Sequence, residues 1–261
     1  MAYAGFRARS GDYGVIPGAA RLSLPRGLDP TGLEWVHFMT HGAAVALRNW
    51  APGKDDAIVT GSPIEHDGYL ELRSSFNYLT MHLTDTGQAM TRIIGARDIG
   101  SQVDIANRFF WGGSGFVGSP LVQGVCLFSS GPDALQVSAR YSDGVAPASR
   151  TLTLAVPGGP ASPMRLAIAS TGGPGSTAST NDDLQVSEYI AGVSGSGAQG
   201  DGYARMGTGA KFGCGHAVGV NLTGSGHVWC DIAFSRILSV AEKLILRNWL
   251  INTGRAHGLY A

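Results

Sequence analysis

Five glutamates, fourteen aspartates, seven histidines and three cysteines are the groups in this 261-residue chain that can carry acid-base, nucleophilic or metal chemistry. Hydrolysis of a glycosidic bond needs two carboxyl groups flanking it, about 5 Å apart in a retaining enzyme. One strand can supply them at alternate positions, as E-x-D-x-E or E-x-D-x-x-E. Glu65-His66-Asp67 opens such a pattern, but the next acid, Glu71, falls one or two residues late. We therefore read Glu65 to Asp67 as a polar turn before a strand at Tyr69, and glycoside hydrolysis as the least favoured activity. No serine, histidine and acid fall in a nucleophile-elbow pattern. Two G-x-G-x-x-G matches start at Gly113 and Gly195. Neither opens onto helix-forming sequence, so no nucleotide site and no cofactor is expected.

Zinc takes thiolate and imidazole ligands, and Cys214, His216, His227 and Cys230 are the nearest approach to such a set. Cys214 and His216 share one face of an extended chain. His227 and Cys230 are an odd number of positions apart and point to opposite faces unless a bulge intervenes. Buried thiols and loop histidines account for the same residues, so no metal is assigned. Calcium at a sandwich rim needs clustered oxygens. Asn181-Asp182-Asp183 and Asp55-Asp56 are the candidates, Asp182 and Asp183 being retained, although adjacent turn acids are ordinarily just solvated.

A glycan asks for an exposed aromatic ring against the apolar face of a sugar, with carboxylate or amide groups beside it. Phe109-Phe110-Trp111 and Tyr141-Ser142-Asp143 are such patches. Trp111, Tyr141 and Asp143 are thus the candidate ligand-binding residues, although Phe109 and Trp111, on one strand face, serve equally as core.

Such residues would sit on strands. Lysine (three) and glutamate (five), the usual fillers of helix surfaces, are scarce beside sixteen arginines, fourteen aspartates and 39 glycines. Short apolar runs recur roughly every 8 to 15 residues between Gly, Pro, Asp and Asn, the pattern of a sandwich or barrel. Leu135, Val137, Ala139 and Tyr141 alternate strictly, which predicts a strand with one buried face. A strand is also predicted over 217–221. Ser239 and Glu242 form a capping box that opens the one expected helix, over 239–252, with Gly254 placed to end it in the left-handed region. Residues 157–163, 172–183 and 192–202 read as loops, and 1–30 as an N-terminal arm before a single domain over 31–261.

The formal net charge is zero and no block of Lys or Arg occurs, so nucleic acid is not an expected partner. No run of 18 apolar residues is present, which argues against membrane insertion, and the first residues do not read as a signal peptide. Cys126, Cys214 and Cys230 are accordingly expected as free thiols.

Asn49-Trp-Ala-Pro-Gly-Lys54, Ala57-Ile-Val-Thr-Gly-Ser-Pro63, Asp67-Gly-Tyr-Leu-Glu-Leu72 and Asn77-Tyr-Leu79 resemble the opening of laminin-G-like, concanavalin-A-like jelly-roll domains. Asp231-Ile-Ala-Phe-Ser-Arg-Ile-Leu-Ser-Val-Ala-Glu242 resembles their close, where the last core strand runs into a short helix. The resemblance spans 35–261, and among relatives it is nearest to proteins of tailed bacteriophages and prophages. It implies an all-β antiparallel sandwich with one C-terminal helix. It further implies a virion component made in the host cytoplasm: a tail fibre, tail tip, receptor-binding or surface-decoration protein. Its partners would be other virion proteins, copies of itself and host-surface glycan, with attachment instead of catalysis as its task. A free-standing carbohydrate-binding lectin is the alternative.

Overall fold

The computed structural model describes residues 24–99, 103–117, 122–142, 145, 147–160, 163–172, 184–197 and 204–260. The chain begins with β1 (Leu33–Phe38), the one-turn α1 (Ala43–Leu47), β2 (Ile58–Thr60), β3 (Ile64–His66), β4 (Tyr69–Arg73), β5 (Tyr78–Thr84) and β6 (Met90–Ile99). It continues through β7 (Phe110–Gly113), β8 (Phe116–Val117), β9 (Val122–Gln123), β10 (Cys126–Gly131), β11 (Ala134–Ser142) and β12 (Pro147–Ala155). Then come β13 (Arg165–Thr171), β14 (Leu184–Glu188), β15 (Val193–Gly197), β16 (Ala204–Arg205), β17 (Lys211–Cys214), β18 (Ser225–Phe234) and α2 (Val240–Ala256).

Sixteen of these strands build two antiparallel eight-stranded sheets, and β8 pairs with β9 in a separate two-stranded sheet. The first runs β15-β14-β13-β6-β18-β4-β3, with β1 also on β18; the second runs β12-β11-β10-β7-β17-β5-β2, with β16 on β11. Of the sandwich or barrel expected from composition and spacing, the sandwich that the resemblance implies is observed, with α2 as its C-terminal helix. Trp35, Leu72, Trp111, Tyr141 and Phe212 fill the space between the sheets. A second apolar cluster, including Phe38, Trp229, Ile232, Leu246 and Leu250, lies between the outer face of the first sheet and α2. Because β18 meets the opposite sheet on one side and α2 on the other, nine of its ten residues are buried.

A buried ion pair stands in the inter-sheet core. The fully buried Asp231 accepts from Arg92 Nη2 at 2.5 Å and Nε at 3.0 Å, and from Trp35 Nε1 at 3.0 Å. Arg92 Nη2 also donates to the Gly213 carbonyl of the other sheet at 2.8 Å. Gly112 makes room for this guanidinium, since a Cβ there would lie 2.5 Å from Arg92 Cζ.

Several expectations are corrected. Residues 217–221 are a turn, and the strand beside them is Lys211–Cys214. The region 192–202 contains the glycine- and serine-rich edge strand β15, held by backbone pairing to β14 without large side chains. The Glu65 segment belongs to strand β3, with the turn confined to Asp67-Gly68. Of the expected arm, residues 1–23 lie outside the described residues, while Leu24 and Leu28 pack on the cluster around α2. Helix α2 runs on through Gly254, because the missing Cβ admits the ring of Tyr260, and it ends in left-handed Gly258 (φ 70°).

The capping box is present, with Ser239 Oγ accepting from the Glu242 amide and Glu242 accepting from the Ser239 amide. Arg236 adds a bidentate bond to Glu242, at 2.5 and 3.0 Å. These bonds hold the Glu242 carboxyl down at about 2. The motif residue Asn49 is equally structural: its side chain accepts from Val36 and Ala51 amides and donates to Glu34 and Asp55 carbonyls.

Asp231→Ala leaves Arg92 buried without its counter-charge and should lower unfolding free energy by about 3–5 kcal/mol, measured by chemical denaturation. A loss below about 1 kcal/mol would remove the pair from the core's essential contacts. Ser239→Ala should lower it by about 1 kcal/mol.

Candidate functional site

The aromatic residues singled out as ligand platforms are core. Trp111 and Tyr141 are fully buried, and Trp111 Nε1 donates to the buried Asp98 carboxylate at 2.7 Å. Inward alternation on β7 and β11 places both between the sheets, so neither presents a ring to a ligand. Asp143, Asp182 and Asp183 lie outside the described residues. Asp56 accepts from the Asn49 amide at 2.7 Å.

The soft-ligand set is not assembled either. A register shift between Val228 and Cys230 supplies the bulge that the spacing required. The set fails at Cys214, which faces the inter-sheet core, whereas Cys230 lies under α2 and His216 packs against Tyr78 at a tilt of 42°, with centroids 4.4 Å apart. All three cysteines are free and buried. Desolvation pushes each thiol up, Cys126 to about 12, so none is a ready nucleophile.

His227 instead joins a cluster that pairing register creates. β18 lies between β4 and β6, and His227 stands directly opposite Glu71 on one side and Arg97 on the other. Its neighbours Gly226 and Val228 face the inter-sheet core, where Gly226 makes room for Phe109, so His227 points outward. The β3–β4 hairpin adds His66 opposite Tyr69. Tyr69 stacks on both imidazoles, at 4.9 Å from His66 and 4.3 Å from His227. Glu71 Oε2 lies 3.1 Å from His66 Nε2 and 3.7 Å from His227 Nε2. Arg97 Nε donates to His227 Nδ1 at 3.0 Å, so the neutral ring carries its proton on Nε2, toward Glu71. Burial first, then the Arg97 charge, pull His227 down to about 4 against the opposing pull of Glu71. No sequence motif announces this group; only the strand order brings positions 66, 71, 97 and 227 together.

On the same outer face, a cleft of about 320 Å³ opens where α2 ends, lined by Pro163, Tyr189, Ile190, Arg247, Ile251, Arg255, Leu259 and Tyr260. That volume is in the range of small-molecule sites. The buried Glu188 carboxylate accepts from the Ile190 and Ala191 amides at 2.9 and 2.6 Å and so fixes the turn that carries Tyr189. Tyr260 is pinned from two sides, accepting from Trp229 Nε1 at 2.9 Å and donating to the Arg165 carbonyl at 3.2 Å. Arg247 lies over the Tyr189 ring at 5.5 Å, and its Nε is buried with no hydrogen-bond partner among the described residues. Among the described residues the lining combines two aromatic rings, aliphatic carbons and two guanidinium groups, and includes no carboxylate. A second recess, by Tyr78, Lys211 and His216, measures only about 100 Å³.

No family model matches the chain, and no curated protein does. Among solved structures it is similar to a Trypanosoma rangeli sialidase in complex with sialic acid (TM-score 0.57, 11% identity, 91% of this chain and 35% of that one). It is similar as well to the receptor binding domain of botulinum neurotoxin D (0.56, 9%, 87% and 53%). A third is a botulinum neurotoxin type C structure titled for cell entry dependent on two ganglioside molecules (0.54, 9%, 84% and 51%). The chain spans between a third and about half of the length of these neighbours. At such identities the likeness is one of fold, a two-sheet antiparallel β-sandwich.

A His227 pKa below the free value means that the unfolded chain binds more protons between about pH 6.5 and 4. This residue's contribution to stability is therefore full above about pH 6.5 and is lost as pH falls toward 4. Imidazole NMR should show His227 neutral and protonated on Nε2 at pH 6. Titration near 6.5, or a proton on Nδ1, would contradict the Arg97 contact.

Proposed function

We propose that this chain is an attachment protein whose lectin-like sandwich binds an acidic glycan in the cleft at the end of α2. The observation that carries the reading is the lining: tyrosine rings to meet the apolar face of a sugar, and Arg247 and Arg255 to meet a carboxylate. The two paired carboxyls that most glycoside hydrolases use are not among the described residues that line the cleft. We therefore read the site as one of binding, not turnover. The sandwich neighbours whose titles name a complex with sialic acid and an interaction with two ganglioside molecules support the same ligand class.

The setting we propose is a tailed-phage particle, with the protein in a tail or surface position and working among copies of itself. This part draws its support from the resemblance of the segments around Asn49 and Asp231. Mass spectrometry of purified particles tests it, and absence of the chain from particles would leave a free-standing lectin as the surviving form of the proposal.

Sialylated and desialylated forms of the same glycans, arrayed against the full chain, should separate, with binding to the sialylated set. Arg247→Ala removes one charge-assisted contact, on the order of 1.5–3 kcal/mol, and should weaken binding about ten- to hundredfold. Equal binding to both glycan sets, or full affinity in Arg247→Ala, would refute the cleft assignment.

A further inference from the structure

The cluster on β3, β4 and β18 holds a ligand set that the cleft does not use. His66, Glu71 and His227 each offer one ligand atom, and the three atoms all lie within 4.8 Å of one another. Tetrahedral Zn²⁺ with bonds of about 2.0–2.2 Å places its ligands about 3.4 Å apart. The 3.1 and 3.7 Å separations from Glu71 bracket that value. Two imidazoles and one carboxylate are a donor set that zinc takes with a fourth position left open. The His66 side chain is 34% exposed, which leaves that position facing solvent.

We propose that His66, Glu71 and His227 form a binding site for a divalent transition ion of the zinc type, with Arg97 as its internal competitor. The competition follows from the tautomer. Arg97 Nε donates to His227 Nδ1, so the proton sits on Nε2, the atom that faces Glu71. A metal on Nε2 requires the proton to move to Nδ1, where it opposes the Arg97 N–H. Arg97 must then leave, and the Tyr69 ring, whose centroid lies 5.8 Å from its guanidinium carbon, offers it a place. The guanidinium charge disfavours the cation as well. Arg97 thus acts as a latch that sets affinity. This site is separate from the cleft, and its test involves no glycan.

The test is calorimetric titration of the full chain with Zn²⁺ alone. The expected result is one site per chain whose affinity falls at least tenfold in His66→Ala and in Glu71→Gln. His66 is on an exposed edge strand, so its variant is expected to fold, and thermal unfolding verifies this. His216→Ala should bind as the parent does. Arg97→Gln removes both the charge and the competing donor and should tighten binding about tenfold, the scale of effects just outside a metal's ligands. A merely adventitious surface histidine site would not respond to Arg97 in this direction. No binding by the parent or by Arg97→Gln, binding unaffected by His66→Ala, or unchanged or weaker binding in Arg97→Gln would each overturn the proposal.

Discussion

The contact of Arg92 with Asp231 sets terms that the rest of the sandwich must meet. Two charges withdrawn from water are tolerable only when paired and further hydrogen-bonded. Here the same guanidinium binds Asp231 in its own sheet and the Gly213 carbonyl in the other. A slide of one sheet over the other would take the charge off that carbonyl and drive it against side chains. The pair therefore specifies how the sheets face each other, which apolar packing alone leaves less defined. Trp35, which donates to the same carboxylate, ties β1 to this point.

Much of this architecture is legible in the sequence because it follows local periodicity. The alternation from Leu135 to Tyr141 marks β11, and Ser239 with Glu242 marks the start of α2. The errors arise where a long-range partner overrides a local preference. Gly254 belongs to the helix because Tyr260 needs its space, and the glycines and serines of β15 make a strand because β14 lies beside them. Trp111 looks like a platform until the opposite sheet covers it. The Cys214 and His227 segments share soft donors, but they lie on different sheets.

The two sites were less legible than the fold for the same reason. Neither is a motif. The histidine cluster needs the order β6-β18-β4-β3 to place Arg97, His227, Glu71 and His66 in neighbouring rows. The cleft needs the chain after α2 to return over Trp229. Leu259 belongs to the wall of the cleft and also reaches Gly68, in the turn of the hairpin that carries His66. The segment after the helix thus stands between the two sites, on the face of the sandwich opposite the inter-sheet core.

Glycine has a recurrent office inside this molecule. Gly112 houses Arg92, Gly226 houses Phe109, Gly95 houses Trp229 and Gly254 houses Tyr260. Each is a socket in one segment for a plug from another, so neither partner can change alone without collision or void. Mutational drift should then be free over most of the surface yet coupled at these pairs. Homologous chains would betray the shared backbone through correlated exchanges between distant columns, even after overall identity has decayed to background.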